Sequence, residues 1–352
     1  PARPRIRQVR RPRLYSPPFP HLAPRAPLPR FAALVPWLGV FVASTLVAWP
    51  DDAPLLGTPA PAVKITPERV SGLESYACLA CHAEVGEEWA ASAHGLAWVD
   101  EAFQKDMQAK KRPELCHGCH IPEPLLAGVL TAKPGTRATD LAHGIACESC
   151  HDDGTGTQLG PRGTATDAHP SSVSPYMSAP GSNELCSSCH ATNIGPVLGI
   201  AKDFASAKMA ERGLSCVGCH MAPLERAWAK DAPSRLGRSH ALQTPRDPAF
   251  LRLAFGVSLD TSGGKTRVKL VNKAGHRVPG LVGRKIVFKA ELLDAGGTKL
   301  EEQTLELDER AYLPVDVTKE LVFTKSGARV RITGLHTDPR AKAPIAFLDE
   351  TL

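Results

Sequence analysis

His143-Gly144-Ile145-Ala146-Cys147-Glu148-Ser149-Cys150-His151 is the stretch that decides how this chain reads. Its last five residues place two thiols three positions apart, with an imidazole directly after the second. The arrangement recurs at Cys78-Leu79-Ala80-Cys81-His82, Cys116-His117-Gly118-Cys119-His120, Cys186-Ser187-Ser188-Cys189-His190 and Cys216-Val217-Gly218-Cys219-His220. Together the five copies use all ten cysteines of the 352-residue chain. Cys-x-x-Cys-His is the attachment pattern of c-type haem. The thiols become thioethers on the porphyrin, and the adjacent His is held under the iron. Five covalent haems are therefore expected, with His82, His120, His151, His190 and His220 as proximal ligands.

Other chemistries account for the pattern less well. Zinc ribbons use Cys-x-x-Cys pairs two at a time and do not require His after each second Cys. A thioredoxin-like motif would appear once, within a βαβ unit. Disulfides fit an exported protein but leave five adjacent histidines unexplained.

The sixth iron ligand must come from elsewhere in the chain. Only four Met are present: Met107, Met177, Met209 and Met221. Eight His lie outside the proximal positions: His21, His94, His117, His143, His169, His240, His276 and His336. This supply favours mostly bis-histidine haems. His117 lies between the two Cys of its own motif and cannot reach that haem's far face.

Several stretches resemble the multihaem cytochromes related to the tetrahaem cytochrome c family of ammonia-oxidising bacteria. They are Cys78–His82 followed by Trp89-Ala90-Ala91-Ser92-Ala93-His94-Gly95, the opening stretch His143–His151, Ser174-Pro175-Tyr176 before Cys186, and Cys219-His220-Met221-Ala222-Pro223 followed by Arg238-Ser239-His240. Asn272-Lys273-Ala274-Gly275-His276-Arg277-Val278-Pro279-Gly280 is similar to the Gly-His-x-x-Pro signature that opens the β-domain of larger relatives. The resemblance implies His94, His143 and His240 as distal ligands, with His276 reaching a haem from the β-domain. His169, in a loop after the third motif, is the natural fifth. The chain departs from the family in carrying five motifs rather than four. Pentahaem nitrite reductases would require a Cys-x-x-Cys-Lys motif, which is absent, and octahaem hydroxylamine-oxidising enzymes would need more haems.

Outward from the motifs the chain changes texture. Residues 1–30 form an Arg/Pro-rich arm expected to be disordered. Residues 31–49 carry no charge, and the arginines before them mark the cytoplasmic side, so the segment reads as a signal peptide or membrane anchor. Residues 50–75 read as linker and 76–248 as the pentahaem domain. A helix is expected over Ala83 to Lys111, with loops at 152–182 and 221–248. From about 249 the residues alternate around Gly263-Gly264 and Gly296-Gly297, which predicts two hairpins and an antiparallel β-sandwich of immunoglobulin-like type over 249–352. The expected fold is thus a multihaem cytochrome: a mainly α-helical and loop haem-binding region plus a C-terminal antiparallel β-sandwich.

The net charge of +6 conceals an asymmetry. The first 50 residues hold eight Arg and no Lys, Asp or Glu. Without them the chain is slightly acidic, so nucleic acid is not an expected partner. Covalent attachment happens after export, so the expected place is periplasmic or extracellular, possibly anchored to the inner membrane by residues 31–49. Electron transfer is the expected function, with redox proteins as donor and acceptor, in a homo- or hetero-oligomer or alone. No acid–base constellation marks a catalytic residue. The alternative is a reductase or oxidase of a small nitrogen or sulfur compound at a five-coordinate haem.

Overall fold

The computed structural model describes Leu73 and residues 76–352, apart from 165 and 196–198. The expected arm, the apolar segment 31–49 and nearly all of the linker lie outside the described residues. Among the described residues no helix is long and apolar enough to cross a membrane.

The expected helix from Ala83 is two helices, α1 (Ala83–Ala91) and α2 (Glu101–Gln108). Ser92 ends the first: its hydroxyl accepts from the amides of His94 and Gly95, both at 3.2 Å, in place of another helical turn. Asp100 starts the second by accepting from Phe103 N at 2.7 Å. The turn between them carries His94. Gly144, with φ of +58°, packs so closely that an added Cβ would lie 2.6 Å from the His94 carbonyl.

The haem-attachment motifs sit on single helical turns. These are a 3-10 turn at Ala77–Ala80, α3 (His117–His120), α4 (Cys147–His151), the end of α5 (Ala179–His190) and α7 (Cys216–His220). Between the last two runs α6 (Ile200–Ser206). Two segments expected to be loops contain strands. β1 (Gln158–Gly160) pairs in parallel with β2 (Ser171–Val173), and β3 (Pro223–Ala227) forms a hairpin with β4 (Ser234–Arg238). Their Gly, Pro and charged residues hide them from a period-2 reading, because these strands lie at the surface and bury no regular face.

After α8 (Pro248–Leu253) the chain forms seven strands. They are β5 (Phe255–Asp260), β6 (Arg267–Asn272), β7 (Lys285–Leu293), β8 (Lys299–Leu307), β9 (Thr318–Val322), β10 (Arg329–Thr337) and β11 (Ile345–Thr351). They make a three-stranded sheet in the order β5-β6-β9 and a four-stranded sheet in the order β11-β10-β7-β8, all antiparallel. Both expected hairpins are present in register, with Val257 opposite Leu270 and Phe288 opposite Leu305. Alternate residues such as Val268 and Leu270 of β6, and Ile286, Phe288, Ala290 and Leu292 of β7, are fully buried in one shared apolar core.

The loop between β6 and β7 reaches back to the helical region. Fully buried Asn272 shapes it, its amide donating to the carbonyls of His276 and Leu313, both at 2.9 Å. Arg277 then pairs with Asp203 on α6, Nη2 to Oδ1 at 2.8 Å, and lies 3.9 Å above the Tyr312 ring.

Candidate haem-binding sites

Each attachment turn puts Cys at i and i+3 and His at i+4 on one helical face. Four of the five motif histidines are oriented by a backbone carbonyl at Nδ1. His82 meets Trp228 O at 2.6 Å, His120 meets Ala97 O at 2.6 Å, His151 meets Leu159 O at 2.7 Å and His220 meets Gln243 O at 2.8 Å. A carbonyl at Nδ1 fixes the tautomer in which Nε2 keeps its lone pair for a metal. None of these four carbonyls carries a sequence signal, since any residue offers one. Trp228 belongs to the β3–β4 hairpin and Leu159 to β1, the two strand features that sequence patterning missed.

The rings then pair. His82 faces His169 with centroids 6.4 Å apart, His94 faces His190 at 6.2 Å, His151 faces His240 at 6.1 Å and His220 faces His276 at 6.2 Å. Were a metal held between the rings of such a pair, bonds of about 2.0–2.1 Å and about 1.1 Å more to each ring centre would space the centroids by roughly 6.3 Å, so each pair would fit one. His276 makes this contact from the β-domain loop, with Nδ1 on Arg277 O at 2.8 Å.

His120 differs. Among the described residues no histidine faces it; Phe103 of α2 stacks flat on its imidazole at 3.6 Å. His143 does not join a motif histidine. It stacks on Tyr76 at 4.2 Å, beside Trp89, and the Tyr76 hydroxyl donates to Glu148 and accepts from Cys147 N. His117 makes an edge contact with Trp98 at 5.2 Å.

Electrostatics fit a set of neutral ligands. Burial pushes His94 and His240 down to about 3 and His276 to about 4. Burial also lowers His151, His190 and His220. An imidazole that resists protonation keeps its lone pair available.

The thiols show which sites are neighbours. Cys78 neighbours Cys147, Cys119 neighbours Cys189 and Cys186 neighbours Cys216. Cys150 interacts electrostatically with both Cys186 and Cys189. Numbered by motif, site 1 adjoins site 3, site 3 adjoins site 4, and site 4 adjoins sites 2 and 5. No residue pattern in the sequence carries this order, because it depends on how the helical turns pack.

With this geometry established, comparison with known proteins gives two matches. The family model "Cytochrome c554 and c-prime" matches residues 77–152 and 161–221. A penta-heme cytochrome c552 from Thermochromatium tepidum has a similar fold, with a TM-score of 0.55 and 16% identity over 79% of this chain and 98% of that one. No curated protein matches the chain. The motifs, the oriented histidines, the family match over part of the chain and the shared fold all support a multihaem c-type cytochrome.

Proposed function

We infer that the chain carries five covalent haems and serves electron transfer, with four haems bound by paired histidines and one, at His120, by a single histidine. The observation that carries this reading is the set of four ring pairs at 6.1–6.4 Å, each joining one motif histidine to one from elsewhere. When bound, each haem supplies one-electron chemistry, its iron alternating between ferric and ferrous. The protein would hold the ligating imidazole nitrogens in place and keep them neutral. The contiguous order of sites keeps every redox centre next to another.

Exposure marks one end of the array: Cys81 of site 1 is exposed, whereas the other nine motif cysteines are half-buried. We therefore place exchange with redox partner proteins at site 1. Covalent attachment outside the cytoplasm favours a periplasmic or extracellular location, with residues 31–49 as exporting or anchoring segment. The two sheets, sharing one core, are read as an immunoglobulin-like sandwich that caps the array.

The lone His120 favours a second reading, a reductase or oxidase acting on a small molecule at site 2. Electron paramagnetic resonance of the loaded protein tests both. One high-spin and four low-spin ferric haems are expected. Five low-spin haems would remove the second reading, and a mass giving fewer than five attached haems would overturn the count.

A further inference from the structure

Helix α1 and the β3–β4 hairpin meet in an ion pair that plays no part in the sites described so far. Arg226 of β3 and Glu88 of α1 have side chains only 13% and 20% exposed. The carboxylate takes the guanidinium with both oxygens, Oε1 accepting from Nη1 at 2.9 Å and Oε2 from Nη2 at 3.0 Å. Separating such a pair strands a poorly hydrated charge, so each partner fixes the other. The exposed Glu84 adds a looser contact to Nη1 at 3.6 Å. Strand stability does not explain the arrangement. In the hairpin register Arg226 lies opposite Arg235, and like charges across a strand pair destabilise it.

What the pair touches does explain it. Glu88 Oε2 also accepts from His240 N at 2.7 Å, and His240 faces His151 at site 3. The Arg226 guanidinium lies 4.5 Å over the Trp228 ring, whose Nε1 donates to Arg235 O at 2.7 Å. Gly237 on β4 makes room for that ring, since an added Cβ would collide with it. Trp228 is thus held from both sides, and its carbonyl is the one on His82 Nδ1 at site 1. Its ring also lies 6.5 Å from the ring of His240. One ion pair therefore bears on a distal histidine of site 3 and on the support of the proximal histidine of site 1.

We propose that Glu88 and Arg226 are positioning residues that set the iron ligation of sites 1 and 3 together. This rests on both sites being loaded, as in the proposed function. Glu88 fixes the backbone that carries His240. Arg226 fixes Trp228, whose carbonyl sets the rotation of the His82 ring. The two sites adjoin through Cys78 and Cys147. With partner exchange at site 1, the pair governs the first transfer into the array.

Carbon monoxide uptake by the fully loaded, reduced protein tests the pair, together with electron paramagnetic resonance of the ferric form. A haem held by two histidines resists carbon monoxide, whereas one with a free axial position binds it. Glu88→Ala is expected to double the carbon monoxide bound, from site 2 alone to sites 2 and 3. It should also weaken the low-spin signal that His240→Ala abolishes. The g values of a low-spin ferric haem follow the angle between its imidazole planes. A turn of His82 should therefore shift a second signal, the one that His169→Ala abolishes. Glu88→Gln still offers His240 N an oxygen and should keep site 3 closed to carbon monoxide. Arg226→Gln should shift the site 1 signal and serves if Glu88→Ala does not fold. Unchanged uptake and g values in loaded, folded variants would overturn the proposal. So would equal uptake in the two Glu88 variants, or changes confined to sites 4 and 5. Failure of the five-haem reading would show separately, as a mass below five haems, and failure of an open site 2 as no uptake by the unaltered protein.

Discussion

Residues 249–352 bury one contiguous cluster of seventeen apolar side chains, whereas among the described residues of 76–248 only Tyr76, Trp89, Ala90 and Ala146 form a second one, together with Leu73. The second region is the longer of the two. Its helices are mostly one to three turns, too short to be stable alone. What it buries besides is polar: Ser92, Ser149, Ser174, Ser182, Ser188, Ser215, Ser239 and Gln243. The comparison teaches that the strands are held by their own hydrocarbon, while the described helical region has no apolar core of that size.

The strongest way to break that contrast is to remove an attachment site at the hub. Cys186→Ala with Cys189→Ala deletes the thioethers of site 4, which adjoins sites 2, 3 and 5. The expected outcome is loss of the folded helical region, read as rapid proteolysis of residues 76–248, with a protected fragment beginning near Pro248. A uniformly resistant chain would show that the helical region folds without its haems.

Acid should separate the same two regions. His94, His240 and His276 have folded pKa values of about 3, 3 and 4, against about 6.5 in an unfolded chain. Between those limits the unfolded chain binds more protons, so stability rises with pH there. The contribution is full above about 6.5 and is lost as pH falls toward 3–4. Iron ligation acts with the same sign, because a protonated imidazole cannot bind. The helical region is expected to lose low-spin absorbance across that window, while the strand circular dichroism of the β-domain falls later.

Within the β-domain the effect should be smaller and confined. Phe288 is fully buried, with edge contacts to Phe255 at 4.9 Å and Phe347 at 5.6 Å. Phe288→Ala is expected to cost about 3–5 kcal/mol in denaturant unfolding of that domain. The spectra of sites 1 to 4 should stay unchanged under native conditions.

The two regions also differ in how far their sequence could be read. Alternation in Arg267–Asn272 and Lys285–Leu293 tells which residues face the core, because a half-buried strand must repeat with period two. The motifs name the attachment residues, because the chemistry demands them in fixed order. His94, His169, His240 and His276 were legible as histidines with no proximal role, and each faces a motif histidine. His143, named on the same resemblance, instead stacks on Tyr76. The break of the helix at Ser92 and the carbonyls on the motif histidines were not legible. A carbonyl is common to every residue, and a local hydroxyl competes with helix only where packing lets it.

The last and smallest test lies where the regions meet. Asp203 of α6 and Arg277 of the β-domain loop form a bidentate pair, with side chains 15% and 8% exposed. Asp203 holds the Arg277 pKa above its usual value, so the charged pair is stabilised in place. Arg277 follows His276 directly and offers its carbonyl to that ring. Asp203→Asn keeps the shape, and one acceptor, but removes the charge. The expected loss is about 1.5–3 kcal/mol in chemical denaturation, the size of a charge-assisted hydrogen bond. If the loop holds His276 against His220 through this pair, the variant should also convert part of one low-spin haem to high-spin. A stability loss with all four low-spin signals intact would mean that Asn272 and its two carbonyl partners suffice to place His276. The boundary between the regions would then be set by the β-domain alone.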